Sequence, residues 1–234
     1  MRLAQFISRA GWCSRKSASR LIDQQQVRVN DAIAGHLTFV DCDDIVMIAN
    51  QRLTLPTTFG YVIYHKATGV DCNWRFDDPS SICHQLDFEP RLFAVGRLDK
   101  DSHGLLLLTN DGDLCHQLLS PDFNHPKTYL VKVTPYFGQH DIDQTFVSLM
   151  SNGIAIKSRI TKPCLVKIIA RNHFEITLTE GLNRQIRKMA QSCGYKVIDL
   201  QRVELAGISL GDLGVNQWRD LTPVEVTDLK ARLG

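Results

Sequence analysis

No apolar run in this sequence approaches the roughly 18 residues that a membrane-spanning helix needs. The longest candidate, Leu105 to Leu108, is strand-sized. The N-terminus opens no apolar h-region, because Ser8, Arg9 and the polar stretch 14–20 interrupt it. A secretory leader is therefore not expected, and the chain reads as cytoplasmic with no membrane partner. Cys-x-x-Cys pairs are missing: the seven cysteines (13, 42, 72, 83, 115, 164 and 193) are scattered at irregular spacing. That speaks against a disulfide framework or a structural zinc site, and for reduced thiols packed as small hydrophobes. The eight histidines are equally dispersed, none at metal-ligand spacing beside a third ligand. Internal repeats, low-complexity tracts and a glycine-rich nucleotide loop are also absent.

What is present is an ordinary folded composition, 44 % hydrophobic and 22 % charged, over 234 residues. That is room for one large domain, or one medium and one small. Net charge is only +2, but it is unevenly placed. Residues 1–30 hold six basic residues against the single acid Asp23, and residues 31–50 hold four acids and no base. Such local asymmetry suits a small RNA-binding face.

Residues 1–50 read as a compact unit. Leu3, Phe6, Ile7 and Ala10 recur at helical spacing up to Gly11. Ser14 is placed to cap a second helix that buries Ala18, Leu21 and Ile22. Val27-Arg28-Val29 alternates like a strand, Asn30-Asp31 signals a turn, and 44–48 reads as a closing strand. Residues 51–59 lack periodicity, contain Pro56 and read as a linker. From residue 60 to 234, short strands (61–64, 92–95, 105–109, 128–133, 165–170, 174–178) mix with helices at 113–119, 141–150, 184–193 and 224–233. Without regular βαβ alternation this predicts an α+β domain on a mainly antiparallel sheet.

Two stretches carry chemistry. Gly96-Arg97-Leu98-Asp99-Lys100-Asp101-Ser102-His103-Gly104 is a charge-dense loop between apolar strands, where function tends to sit, although a solvated connector would look the same. Glu180-Gly181-Leu182-Asn183-Arg184-Gln185-Ile186-Arg187-Lys188 packs Arg184, Arg187 and Lys188 into the start of a helix. Cations there oppose the macrodipole, so an RNA phosphate or a carboxylate such as Asp99 is expected nearby.

Arg2 to Ile7, Ser14 to Ala18 and Gln26 to Asn30 together resemble the αL RNA-binding motif first seen in ribosomal protein S-four. The resemblance makes Arg15, Lys16 and Arg20 phosphate contacts. Beyond it, Gly96 to Asp99 with its Ser-x-Gly-Leu-Leu-Leu-Leu-Thr-Asn-Asp-Gly, then Lys127 to Val131, Glu180 to Arg187 and Trp218 to Thr222, are similar to the pseudouridine synthases of the RsuA type, in that family's order. That resemblance implies a pseudouridine synthase fold that isomerises uridine in ribosomal RNA after flipping the base.

The resemblance also assigns roles. Asp99 would attack or deprotonate the target nucleotide, Tyr129 would stack on its base, and Arg187 would pair with Asp99 and keep it ionised. Arg97 would enter the RNA helix in place of the base, and Leu200 would contact the uracil. Arg184 and Lys188 are further RNA contacts. The implied partner is ribosomal RNA or a pre-ribosomal particle, bound by a monomer that needs no metal and no cofactor. The target points slightly to the large subunit. Other readings are a non-catalytic RNA-binding assembly factor and a glycoside hydrolase; the latter needs two paired acids. His103, beside Asp99, invites a general-base role that the reaction does not require. His65, Lys66 and Arg75 are candidates for lining the RNA path.

Overall fold

Residues 1–120, 123–138, 140–156 and 158–233 are described by a computed structural model. The chain divides into two units. The first comprises 1–60 with 87–93 and 109–112. Helix α1 (Leu3–Arg9) buries Leu3, Phe6 and Ile7, and Gly11 at φ +80° ends its turn. Helix α2 (Arg15–Asp23) starts where the Ser14 hydroxyl accepts the Ser17 N–H at 3.2 Å. It buries Ala18 and Ile22. A sheet follows from β1 (Val27–Val29), β2 (Ala32–Ile33), β3 (Val46–Ile48) and β4 (Gln51–Leu53), in the order β2-β1-β3-β4. Asn30 and Asp31 take φ of 49° and 65°, the left-handed pair that a tight two-residue hairpin requires. Leu3, Ile7, Ala18, Val27 and Val46 close the core.

The expected linker at 51–59 is corrected at its start. Residues 51–53 pair with β3, Val46 opposite Leu53, so the sheet runs past residue 50. Strand β4 is too short and too polar to show a period, and only the neighbouring strand defines it.

The second unit is built on β5 (Tyr61–Lys66), β6 (Phe93–Ala94), β7 (His103–Thr109), β8 (Lys127–Pro135), β9 (Ala155–Ile156), β10 (Arg159–Ile160), β11 (Leu165–Ala170), β12 (His173–Leu178), β13 (Tyr195–Leu205), β14 (Ile208–Ser209) and β15 (Trp218–Asp220). Its helices are α3 (Gly112–Leu119), α4 (Gln144–Ser151), α5 (Gln185–Ser192) and α6 (Pro223–Ala231). Among the described residues the main sheet has nine strands and runs β11-β12-β8-β13-β7-β5-β15, with β6 and β14 paired beside it. The β11–β12, β12–β8, β8–β13 and β5–β15 pairs are antiparallel, whereas β13 and β7 are parallel. The expected α+β class with a mainly antiparallel sheet holds.

Two apolar clusters pack on this sheet. One gathers Ile63, Leu105, Leu107, Leu118 and Leu229; the other gathers Val131, Phe146, Phe174, Ile186 and Met189. The central strand β13 is absent from the sequence expectation. Register shifts between Val197 and Asp199 and between Arg202 and Glu204 break its two-residue period.

Candidate active site

Strand pairing in the second unit builds one end of a cavity of about 780 Å³. Tyr129 on β8 stands opposite Arg202 on β13, and Val131 stands opposite Leu200. Directly opposed residues share a sheet face, so Tyr129, Leu200 and Arg202 form one floor. The cavity is lined by these three together with Asp99, Arg97 and Arg184.

The loop that carries Asp99 leaves and re-enters the sheet at fixed points. The Val95 N–H donates to Leu107 O at 2.8 Å, which ties the approach to the exit. The Ser102 N–H donates to Asp99 O at 3.0 Å, a turn inside the loop. Gly104 takes φ +105° where β7 meets β13, and a Cβ there would stand 2.3 Å from Arg202 O. The glycine two residues after Ser102 is thus a packing requirement. Asp99 itself is half-buried and its carboxylate makes no ion pair among the described residues.

Helix α5 follows a turn laced by side chains. The Gln185 amide accepts the Leu182 N–H at 2.9 Å and donates to Glu180 Oε1 at 2.7 Å. Arg184 sits in the left-handed region, φ 53° and ψ 37°, at the helix entrance. Its guanidinium holds both carboxylate oxygens of Asp101, at 3.0 and 2.7 Å. That pair holds the Asp101 carboxyl below the usual carboxylate range and raises Arg184.

The expected Arg187–Asp99 pair is corrected. Arg187 Nη2 donates to Asp101 O at 2.8 Å and to Ser102 Oγ at 3.1 Å, and Nη1 donates to Val197 O at 3.2 Å. Its Nε lies 3.4 Å from Asp101 Oδ2. The carboxylate that answers the cations at this helix start is Asp101. Arg187 therefore clamps the loop two residues beyond Asp99.

Other candidates separate. Arg97 is exposed and reaches Asn73 Oδ1 at 3.4 Å. Lys188 does not line the cavity, and it donates to Asn183 O and, at 3.1 Å, to Asn183 Oδ1. Arg15, Lys16 and Arg20 are exposed on α2 of the first unit. His103 turns to Asp199, 3.1 Å away, and stacks on His65. Lys66 is wholly buried, donating to Ala67 O and Val70 O, and burial lowers its pKa. Neither His65 nor Lys66 lines the cavity, and Arg75 pairs with Asp71 and Asp78. Sequence reasoning missed Arg202 and also Lys127 and His125, which line the cavity near it. Burial lowers the pKa of Lys127, with the nearby Arg202 charge adding to the effect.

The model of the RNA pseudouridylate synthase family matches residues 60–192, and that of the S4 domain matches residues 1–36. The chain belongs to the RNA pseudouridylate synthase family. As a member it is an isomerase, an RNA pseudouridine synthase with an S4 domain at its N-terminus. Over 231 residues it is 38 % identical to the dual-specificity RNA pseudouridine synthase RluF of Salmonella typhi, covering 97 % of this chain and 78 % of that one. It is 30 % identical over 239 residues to the ribosomal large subunit pseudouridine synthase B of Bacillus subtilis, covering 98 % of this chain and 96 % of that protein. A crystal structure of a pseudouridylate synthase superposes with a TM-score of 0.71 at 28 % identity, covering 98 % of this synthase and 99 % of that chain.

Proposed function

We propose that this synthase isomerises one specific uridine in ribosomal RNA, that of the large subunit, with Asp99 as the catalytic residue. The observation that carries the reading is the convergence of Asp99, Tyr129 and Leu200 on one cavity with Arg97 exposed at its edge. The large-subunit lean is supported by the name of the Bacillus subtilis relative.

In this reading the target base leaves the RNA stack, because a base inside a helix cannot reach a walled cavity. Arg97 occupies the space the base vacates. Tyr129 holds the base by stacking, a contact on the order of 1–3 kcal/mol. Leu200 supplies an apolar wall. The Asp99 carboxylate then attacks or deprotonates the nucleotide, which demands its ionised form. Arg187 is a positioning residue: through Asp101 and Ser102 it fixes the loop that aims Asp99. The first unit, with Arg15, Lys16 and Arg20 on α2, grips RNA backbone, and the protein works as a monomer in the cytoplasm.

The test uses transcribed ribosomal RNA labelled with tritium at carbon five of uridine. Wild type is expected to release tritium, and Asp99→Asn to release none while still binding the RNA. Activity retained in Asp99→Asn would overturn the role of Asp99. A wild type that binds RNA and leaves its nucleosides unchanged would favour an assembly factor instead.

A further inference from the structure

Arg202 is a buried cation that the reading above leaves unused. It is 2 % exposed. Its Nε donates to Leu105 O at 2.7 Å, and its Nη2 is buried with no hydrogen-bond partner among the described residues. A buried donor without an acceptor is destabilising, more so when charged. A native structure that keeps such a group calls for an explanation, and an acceptor brought by a ligand is one. Arg202 lines the cavity, so the acceptor can belong to a ligand.

The backbone around Arg202 is held on both sides. It pairs with Tyr129 on β8 and with Gly104 on β7, whose missing side chain lets the strands approach. The Arg202 backbone is therefore fixed opposite Tyr129, and its guanidinium reaches toward β7, where Nε holds Leu105 O, among the residues that line the cavity. Opposed residues on antiparallel strands lie about 5 Å apart. Tyr129 and Arg202 line the same cavity, so a base stacked on Tyr129 has Arg202 within the space its far edge can enter.

The chemistry of the base decides which edge. The ribose stays attached to the RNA backbone and remains toward the mouth, where Arg97 is exposed and Asp99 half-buried. The ring edge farthest from the ribose carries the C4 substituent. In uracil this is the carbonyl oxygen O4, an acceptor; in cytosine it is an amino group, a donor. An arginine has donors only. It satisfies uracil and sets donor against donor with cytosine, and a site built around a hydrogen bond rejects strongly the analogue that cannot make it.

Resting on the functional reading above, we propose that Arg202 selects uracil over cytosine at the target position, its Nη2 donating to O4 of the flipped base. The alternative ligand, a phosphate drawn by Arg202 and the neighbouring Lys127, fits less well, because a phosphodiester is tied to the RNA strand at the rim.

The experiment measures single-turnover pseudouridine formation at saturating enzyme. The RNA carries uridine, 4-thiouridine or 2-thiouridine at the mapped target, or a phosphorothioate next to it. Sulfur is a weak acceptor. With wild type, 4-thiouridine is expected to slow the reaction about tenfold and 2-thiouridine much less. Arg202→Met is expected to react about tenfold to a hundredfold more slowly with uridine and to lose the difference between uridine and 4-thiouridine. A wild type indifferent to 4-thiouridine would overturn the proposal, as would an Arg202→Met protein that keeps the full difference. So would a phosphorothioate effect that Arg202→Met alone abolishes, which would assign the group to a phosphate. The analogue series on wild type decides the matter even if Arg202→Met does not fold. If wild type forms no pseudouridine in ribosomal RNA, the functional reading falls; if it does and ignores O4, only this inference falls.

Discussion

Arg184 holds Asp101 through two parallel hydrogen bonds of 3.0 and 2.7 Å, and Arg187 reaches the same residue through its backbone oxygen at 2.8 Å. Two arginines at the entrance of one helix are thus spent on the loop that presents Asp99. A fork-to-carboxylate pair fixes direction as well as distance. Both partners are close to half exposed, with side chains 44 % and 45 % accessible, so the pair adds little to global stability. Its consequence is local geometry.

Asp101→Asn tests that consequence. The substitution removes the charge that Arg184 and Arg187 share and loosens the loop without touching Asp99. Turnover is expected to fall roughly tenfold to a hundredfold, the scale of an ångström-sized misplacement of a reacting group. RNA affinity is expected to hold or tighten, because Arg184 becomes available to phosphate. Kinetics under single-turnover conditions beside a filter-binding assay separate the two effects. Unchanged turnover would remove the positioning role from this pair.

Gly104→Ala tests the seam between β7 and β13. The new methyl would meet Arg202 O at 2.3 Å and Arg202 N at 2.6 Å, at φ +105°. These are backbone atoms of a central strand and cannot swing away. Strain and overpacking together are expected to cost roughly 3 kcal/mol or more. Denaturant unfolding of the purified variant gives the value. A loss under about 1 kcal/mol would mean that the seam opens more easily than the contacts imply.

Glu225 sets an acid limit on the C-terminal helix. Arg219 binds both of its carboxylate oxygens at 2.8 Å, and Glu225 completes a capping box with Thr222. The Arg219 hydrogen bonds, foremost, hold its carboxyl down to about 2. Because the folded pKa lies below the unfolded value of about 4.3, the stabilisation is fully present above that pH. It is lost as pH falls toward the folded value. Glu225→Gln is expected to lower stability by about 1 kcal/mol at neutral pH. The gap from wild type should narrow below about pH 4. Thermal melts from pH 7 to 2.5 check this, and a gap that widens in acid would contradict it.

Much of this protein was legible in one dimension. The spacing of Leu3, Phe6 and Ile7, the capping Ser14 and the Asn30-Asp31 turn are local signals, and α1, α2 and the β1–β2 hairpin formed where they point. The loop around Asp99 stood out because charge is dense there between apolar strands, and a local composition needs no fold to be seen.

Tertiary structure decided the partnerships. Asp99 and Asp101 are equivalent acids to any reading by composition, and only the approach of α5 gives Asp101 the two arginines. Strand β13 escaped because its bulges shift the alternation that would reveal it, and Arg202 escaped with it. A buried arginine looks like a surface charge until its neighbours are known. Its burial, its place opposite Tyr129 and an Nη2 without a partner among the described residues arise from contacts between strands distant in the chain. Periodicity and capping are properties of neighbours along the chain and are written in it; which charge meets which depends on how distant strands align.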